Sequence, residues 1–341
     1  MHDGSRDLAS KTTLRLGGPA EKLVTATVTD EIPQMVREAG RLVILAGGSN
    51  VVVSDAGYPG TVLLLRNRGV HVRRDGDAVT VTVAAGEPWD EVVARTVAEG
   101  WSGIECLSGI PGSAGATPIQ NVGAYGQEVA ETIVAVRVYD RTRDVVSSVP
   151  PAGCGFGYRT SVFKHSDRWI VLDLTLRLTQ SPRSTPVRYP ELARVLGIGV
   201  GEQAGLDEVR AAVLKLRAGK GMVLDTDDPD TYSVGSFFTN PVLPAAEFAG
   251  LAARAPDAPA WPGEDGAVKT SAAWLIEHAG FTKGYGRDGV SISTKHTLAL
   301  TNRGGGTTAA LLDLAREIRA GVRQRFGVTL VPEPVLVNCV L

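Results

Sequence analysis

The sequence predicts a mixed fold of helices and strands arranged in about two domains. Three observations carry this. The chain has 341 residues, room for two domains with a core each. Its first half alternates short apolar runs with helical periodicity. A turn-rich break, Gln180-Ser181-Pro182-Arg183-Ser184-Thr185-Pro186, then opens a second series of helices and strands.

Leu42-Val43-Ile44-Leu45 is a short apolar strand ending in Ala46-Gly47-Gly48-Ser49-Asn50. Residues 62–65 form another. Ala78–Ala84 alternates valine and threonine, the pattern of a half-buried strand. Residues 89–99 place Trp89, Val92, Val93 and Val97 on one helical face. Residues 134–139 and 144–149 read as a hairpin, and 169–178 as a closing strand. Beyond the break, Asp207 is expected to cap a helix on which Val209, Val213 and Leu216 share a face. A Pro/Ala-rich loop over 255–262 precedes a helix near 271–279. The last long helix starts near Thr307 or Thr308, carries Leu311, Leu314, Ile318 and Val322, and ends before Gly327. Residues 329–337 read as a final strand.

The formal net charge is −2, which argues against a nucleic-acid binder with its basic face. It says little about small acidic substrates, for which a few local Arg and Lys residues suffice. The chain has no apolar run of transmembrane length, and Met1-His2-Asp3-Gly4 lacks a signal-peptide pattern. A cytoplasmic location is therefore expected. Cys106, Cys154 and Cys339 are odd in number and scattered. The five histidines show no ligand spacing. No disulfide framework and no metal site are expected.

Five segments carry candidate chemistry, and each also has a plainer reading. In Gly235-Ser236-Phe237-Phe238-Thr239-Asn240-Pro241, the small Gly235 leaves Ser236 approachable beside two aromatics; a serine there is also commonly just packed in. The Gly47-Gly48-Ser49-Asn50 turn offers successive N–H groups to an anion such as a pyrophosphate, or is a simple loop entry. From Gly109 to Gly126 small residues dominate, so backbone is expected to approach a large flat or phosphorylated ligand; Ile110, Ile119 and Val122 argue against a disordered loop. Arg159, next to Tyr158, suits a bidentate grip on a carboxylate, or is a solvated turn residue. Glu333, between Pro332 and Pro334, is either a partly desolvated acid or an edge-strand residue facing water.

In order along the chain, Thr13-Leu14-Arg15-Leu16-Gly17-Gly18-Pro19, Ala46-Gly47-Gly48-Ser49-Asn50, Ile110-Pro111-Gly112-Ser113-Ala114-Gly115, Gln120-Asn121-Val122-Gly123-Ala124-Tyr125, Tyr158-Arg159-Thr160-Ser161, the Ser236 segment, Ala273-Trp274-Leu275-Ile276-Glu277 and Pro332-Glu333 resemble the UDP-N-acetylenolpyruvoylglucosamine reductase family. The resemblance implies an α+β fold. An FAD-binding domain of the vanillyl-alcohol-oxidase (PCMH) type, residues 1–180, would comprise two subdomains, about 1–68 and 69–180. A third α+β domain, residues 181–341, would hold the substrate, with the strand near 329–338 returning to the flavin site. It further implies noncovalent FAD, NADPH as co-substrate, and reduction of the enolpyruvyl ether of UDP-N-acetylglucosamine in peptidoglycan precursor synthesis. Ser236, Arg159 and Glu333 would be catalytic. Gly47, Gly48, Ser49, Asn50, Ser113, Gly115, Ile119, Gln120, Asn121, Gly123, Ala124 and Tyr125 would bind the cofactor. Tyr158, Tyr189, Arg217, Lys220 and Asn240 would bind the substrate. Arg188-Tyr189-Pro190-Glu191-Leu192 is similar to the tyrosine-bearing loop that part of the family closes over its substrate. A monomer is favoured. The alternatives are another flavin-dependent oxidoreductase of the same superfamily acting on a sugar or lactone, and a nucleotide-binding scaffold without activity.

Overall fold

Valine alternating with threonine makes Ala78–Ala84 bury Val79, Val81 and Val83 while the threonines turn the other way. This strand lies between Val70–Asp75 and Trp169–Gln180, antiparallel to both. The sheet continues through Ile133–Asp140 to Val145–Val149, the expected hairpin. The Trp89–Ala98 helix buries Trp89, Val92, Val93 and Val97, and the Trp89 indole N–H donates to the Leu107 carbonyl at 3.2 Å. A second sheet has the order Ala20–Ala26, Tyr58–Leu65, Leu42–Leu45. Its last two strands are parallel, with Leu42 opposite Thr61, and the Ile32–Glu38 helix falls between its strands in sequence.

The computed structural model describes residues 6–341; the Met1-His2-Asp3-Gly4 terminus read above lies outside them. The chain forms two compact units, one of residues 20–48 and 59–223, the other of residues up to Pro19, 49–58 and 224–341. The turn-rich break at 180 therefore does not separate them. Buried Glu105 accepts from the Thr185 N–H at 2.7 Å and from its hydroxyl at 3.1 Å. Cys106, Val187, Leu192, Val209 and Val213 share a small core. These contacts keep the Pro190–Leu196 and Leu206–Gly219 helices with the first unit. Leu206–Gly219 also starts differently from expectation. Gly205 is its N-cap, and the Glu208 carboxylate accepts from the Gly205 N–H at 2.9 Å. Asp207 sits in the first turn, where its charge suits the positive helix end.

In the other unit the Thr308–Phe326 helix buries Leu311, Leu314, Ile318 and Val322. The Thr307 hydroxyl caps it by accepting from the Ala310 N–H at 3.1 Å, and Gly327 ends it with φ 77°. The unit's four-stranded sheet has the order Ser233–Ser236, Ala299–Asn302, Val290–Ile292, Gly286–Arg287. The strand expected over 329–337 is regular only at Val335–Val337, which pairs parallel with Val51–Val53. Pro332 and Pro334 have no N–H to donate, so the preceding stretch is reduced to a single bridge, Phe238 to Pro332. Among the described residues, no helix is long and apolar enough to cross a membrane.

Asp55 accepts from the N–H groups of Thr308 and Ala309 at 2.8 and 2.9 Å, while the Thr308 hydroxyl donates to the Val53 carbonyl at 2.6 Å. The chain after the Gly47–Asn50 turn is thus tied to a helix start. Asp55→Ala should cost about 0.5–2 kcal/mol, the range for loss of a helix cap, read from urea unfolding followed by circular dichroism. An unmoved midpoint would mean that water serves those N–H groups equally well.

Candidate active site

The site residues fall into two groups, one in each compact unit. In the second unit, Ser236 ends a strand that pairs with Ala299 across a register shift. Gly235 precedes it at φ 74°, and a Cβ there would meet nothing within 4 Å. Glycine is thus set by backbone conformation and not by crowding. Phe237 and Phe238 are fully buried and pack edge to face at 5.1 Å. The Phe237 N–H donates to Leu298 and its carbonyl accepts from the Glu333 N–H at 2.9 Å. The Thr239 N–H donates to Val331 at 3.1 Å. Ser236 and Glu333 therefore lie on neighbouring extended segments, with Glu333 half-buried. The Val335 N–H then donates to the Asn50 carbonyl at 3.0 Å, bringing this segment back to Ser49 and Asn50. Asn240 commits its side-chain oxygen to the Ala272 N–H at 3.0 Å.

In the first unit, a Cβ on Gly47 would sit 2.5 Å from the Gly112 Cα, so the two Gly-rich segments touch backbone to backbone. One on Gly115 would sit 2.5 Å from the Ala85 Cβ. Ser113 is buried and bridges to Pro88. The Ile119 carbonyl accepts from the Ser161 hydroxyl at 2.6 Å. The 109–126 stretch is not a loose loop: it runs through a short 3-10 turn, Ala114–Ala116, into a hairpin of Gly123–Ala124 with Gln127–Glu128. Arg159, at φ 53°, turns its guanidinium onto the carbonyls of Gly123 and Asn121 and lies over the Tyr158 ring, 5.3 Å from its centroid.

Tyr125 and Tyr189 meet edge to face at 5.4 Å. Tyr189 N-caps the Pro190–Leu196 helix and is exposed. Lys220 reaches the Glu191 carboxylate at 2.8 Å and stands 5.8 Å from the Tyr125 ring centroid. Burial works to lower the Lys220 pKa, but its bond to Glu191 and the charges around it leave it raised. Arg217 donates to Met222 at 2.8 Å, while its Nε is buried and, among the described residues, without a partner. Burial pushes its pKa below the usual arginine value. Tyr125, Tyr189, Arg217 and Lys220 therefore belong to one cluster.

Several residues escaped the sequence reading. Arg66 donates to Ala46 at 2.8 Å, just before Gly47. Asp90 accepts from the Gly109 N–H at 2.5 Å and takes both ends of Arg210 at 2.7 and 2.9 Å. Lys164 donates to the Arg159 carbonyl at 2.9 Å. The one available signal was Tyr125-Gly126, a two-residue turn with glycine second, which marks a hairpin.

An antiparallel sheet, a small parallel-containing sheet and two abutting Gly-rich segments define an FAD-binding domain, and the FAD binding domain profile matches residues 20–147. The profile of the UDP-N-acetylenolpyruvoylglucosamine reductase C-terminal domain matches residues 227–337. Reductases of that name are similar over nearly the whole chain. That of Salinispora arenicola is 63% identical, covering 99% of this chain and 96% of the relative. That of Thermobifida fusca is 56% identical, over 98% and 97%. The crystal structure of the Thermus caldophilus enzyme is 26% identical, covers 97% of both chains, and superposes with a TM-score of 0.67. The chain belongs to the UDP-N-acetylenolpyruvoylglucosamine reductase family.

The residues present fit FAD: the close Gly47–Gly112 approach sets two Gly-rich turns side by side, and such turns offer backbone N–H groups to a pyrophosphate.

The Asp90 clamp gives a pH prediction. Burial works to raise this carboxyl, but Arg210, the Gly109 N–H and nearby Arg217 hold it below its ordinary 3.8. A depressed folded value contributes stability above the unfolded pKa and loses it as pH falls through the folded one. Wild type should therefore lose stability more steeply below about pH 4 than Asp90→Asn, in thermal melts from pH 6 down to 3. Parallel curves would remove Asp90 from the acid response.

Proposed function

We infer that this protein reduces the enolpyruvyl ether of UDP-N-acetylglucosamine to UDP-N-acetylmuramate, using NADPH and noncovalently bound FAD, in the cytoplasm and as a monomer. The observation that carries the reading is the pairing of the Ser236 segment with Glu333 inside the region matched by the reductase profile. We assign FAD to the first unit's Gly-rich segments, and substrate to Tyr158, Tyr189, Arg217, Lys220 and Asn240.

FAD, held by the Gly-rich segments, would supply the two-electron chemistry that links NADPH to C3 of the enolpyruvyl group. Hydride addition at C3 moves charge toward the substrate carboxylate, which must be stabilised where it develops. Arg159, oriented by two carbonyls, offers a fixed positive fork. Glu333 in its protonated form would donate a hydrogen bond to the same charge. Ser236 gives its proton to C2. A serine hydroxyl is a weak acid, so this step depends on a strongly basic intermediate and fixed geometry, which the Phe237–Phe238 anchor provides.

Ser236→Ala should leave flavin reduction by NADPH near normal and slow reoxidation by the enolpyruvyl substrate roughly 10²–10⁴-fold, the typical loss of a general acid. Cysteine there should retain more activity than alanine. Stopped-flow flavin absorbance separates the two steps, and unimpaired reoxidation in the alanine variant would remove Ser236 from the mechanism.

Tyr189→Phe should chiefly weaken substrate binding, because the ring meets Tyr125 from an exposed helix cap. Turnover abolished at saturating substrate would make Tyr189 a chemical participant.

A further inference from the structure

The grip on Arg159 leads back to a carboxylate that none of these roles uses. Tyr125-Gly126 turns with φ 48° and 83° and pairs Gly123 directly with Glu128. The Gly123 carbonyl accepts from Arg159 Nη2 at 2.6 Å, and the Asn121 carbonyl from Nη1 at 3.4 Å. The approach needs glycine: a Cβ on Gly123 would sit 2.9 Å from the Glu128 Cγ and 3.0 Å from Arg159 Nη1. Asn121 is 1% exposed and at φ 45°, an unfavourable backbone state that its surroundings must hold. Its own side chain provides the hold. Nδ2 donates to Glu128 Oε2 at 2.7 Å and to the Gly157 carbonyl at 3.1 Å, while Oδ1 accepts from the Ala130 N–H at 3.2 Å. The other Glu128 oxygen stands 3.9 Å from Arg159 Nη1, beyond hydrogen-bond reach.

We propose that Glu128 is a positioning residue for Arg159: acting through Asn121, it fixes the carbonyls that set the plane of the guanidinium. The inference rests on the reading that Arg159 receives the substrate carboxylate. A guanidinium is a planar fork of five donors, and its value to a carboxylate depends on orientation. Two backbone anchors fix the plane while leaving Glu128 too distant to capture the fork itself.

The test uses the FAD-loaded enzyme and compares Glu128→Ala, Glu128→Gln and Arg159→Ala, alone and Glu128→Ala with Arg159→Ala. Glutamine keeps an acceptor for Asn121 and drops the charge. Glu128→Ala should slow reoxidation at saturating enolpyruvyl substrate about tenfold to a hundredfold, the scale of a small misplacement, with flavin reduction by NADPH unchanged. Glu128→Gln should stay close to wild type, and Glu128→Ala should add nothing in the Arg159→Ala background. Normal reoxidation in Glu128→Ala overturns the proposal. Glutamine as impaired as alanine overturns the route through Asn121 and assigns the effect to charge. Equal slowing of both half-reactions overturns it in favour of a purely structural role. Normal reoxidation in Arg159→Ala instead overturns the reading of Arg159 on which the proposal rests.

Discussion

The buried Phe237–Phe238 pair is the constraint on which the second unit's site depends. Two large rings with no solvent exposure cannot shift without opening a cavity, which makes the strand that carries them rigid. The backbone between them is paired on both sides, to Leu298 and to Glu333. Ser236 is therefore held by packing one residue away, and Glu333 by the same carbonyl that belongs to Phe237. A weakly acidic hydroxyl has no chemical advantage of its own, so all its usefulness must come from such positioning.

The first unit solves a different problem, the handling of cations. Lys220 is matched with Glu191, and Arg210 with Asp90. Arg159 is held mainly by carbonyl dipoles, and Arg217 keeps a buried N–H unmatched. Neutral dipoles fix a guanidinium without cancelling its charge. Lys220 and Arg210 are thus each set against a carboxylate, and Arg159 mainly against carbonyl oxygens.

Strong periodicity made much of the fold legible. The Ala78–Ala84 and Trp169–Gln180 strands, the Trp89–Ala98 helix and the Thr308–Phe326 helix all alternate or repeat clearly enough to read. Ala20–Ala26 and Ile32–Glu38 do not: the strand is exposed through its middle, and the helix is only seven residues long. The compact units do not divide at 180, because turn composition marks a turn and says nothing about what packs across it; the bond from Thr185 to buried Glu105 does. Among site residues, Ser236, Arg159 and Glu333 stood out through neighbours in sequence. Asp90 and Arg66 did not, because Arg210, Gly109 and Ala46 reach them only through folding, and Glu128 did not, because its separation of 7 from Asn121 matches no local pattern.

The passage of the chain between its two units has a consequence for biosynthesis. Val51–Val53 belongs with Val335–Val337, and no other described strand pairs with it. During translation this early strand must wait, with its hydrogen-bonding edge open, until Val335–Val337 has been made. The unit around residues 59–223 has all its sequence long before then and can mature first. The nascent protein thus carries an unpaired edge strand through most of its synthesis, the kind of surface that chaperones shield and that aggregation exploits. Loss of Val335–Val337 would leave that edge without its partner strand.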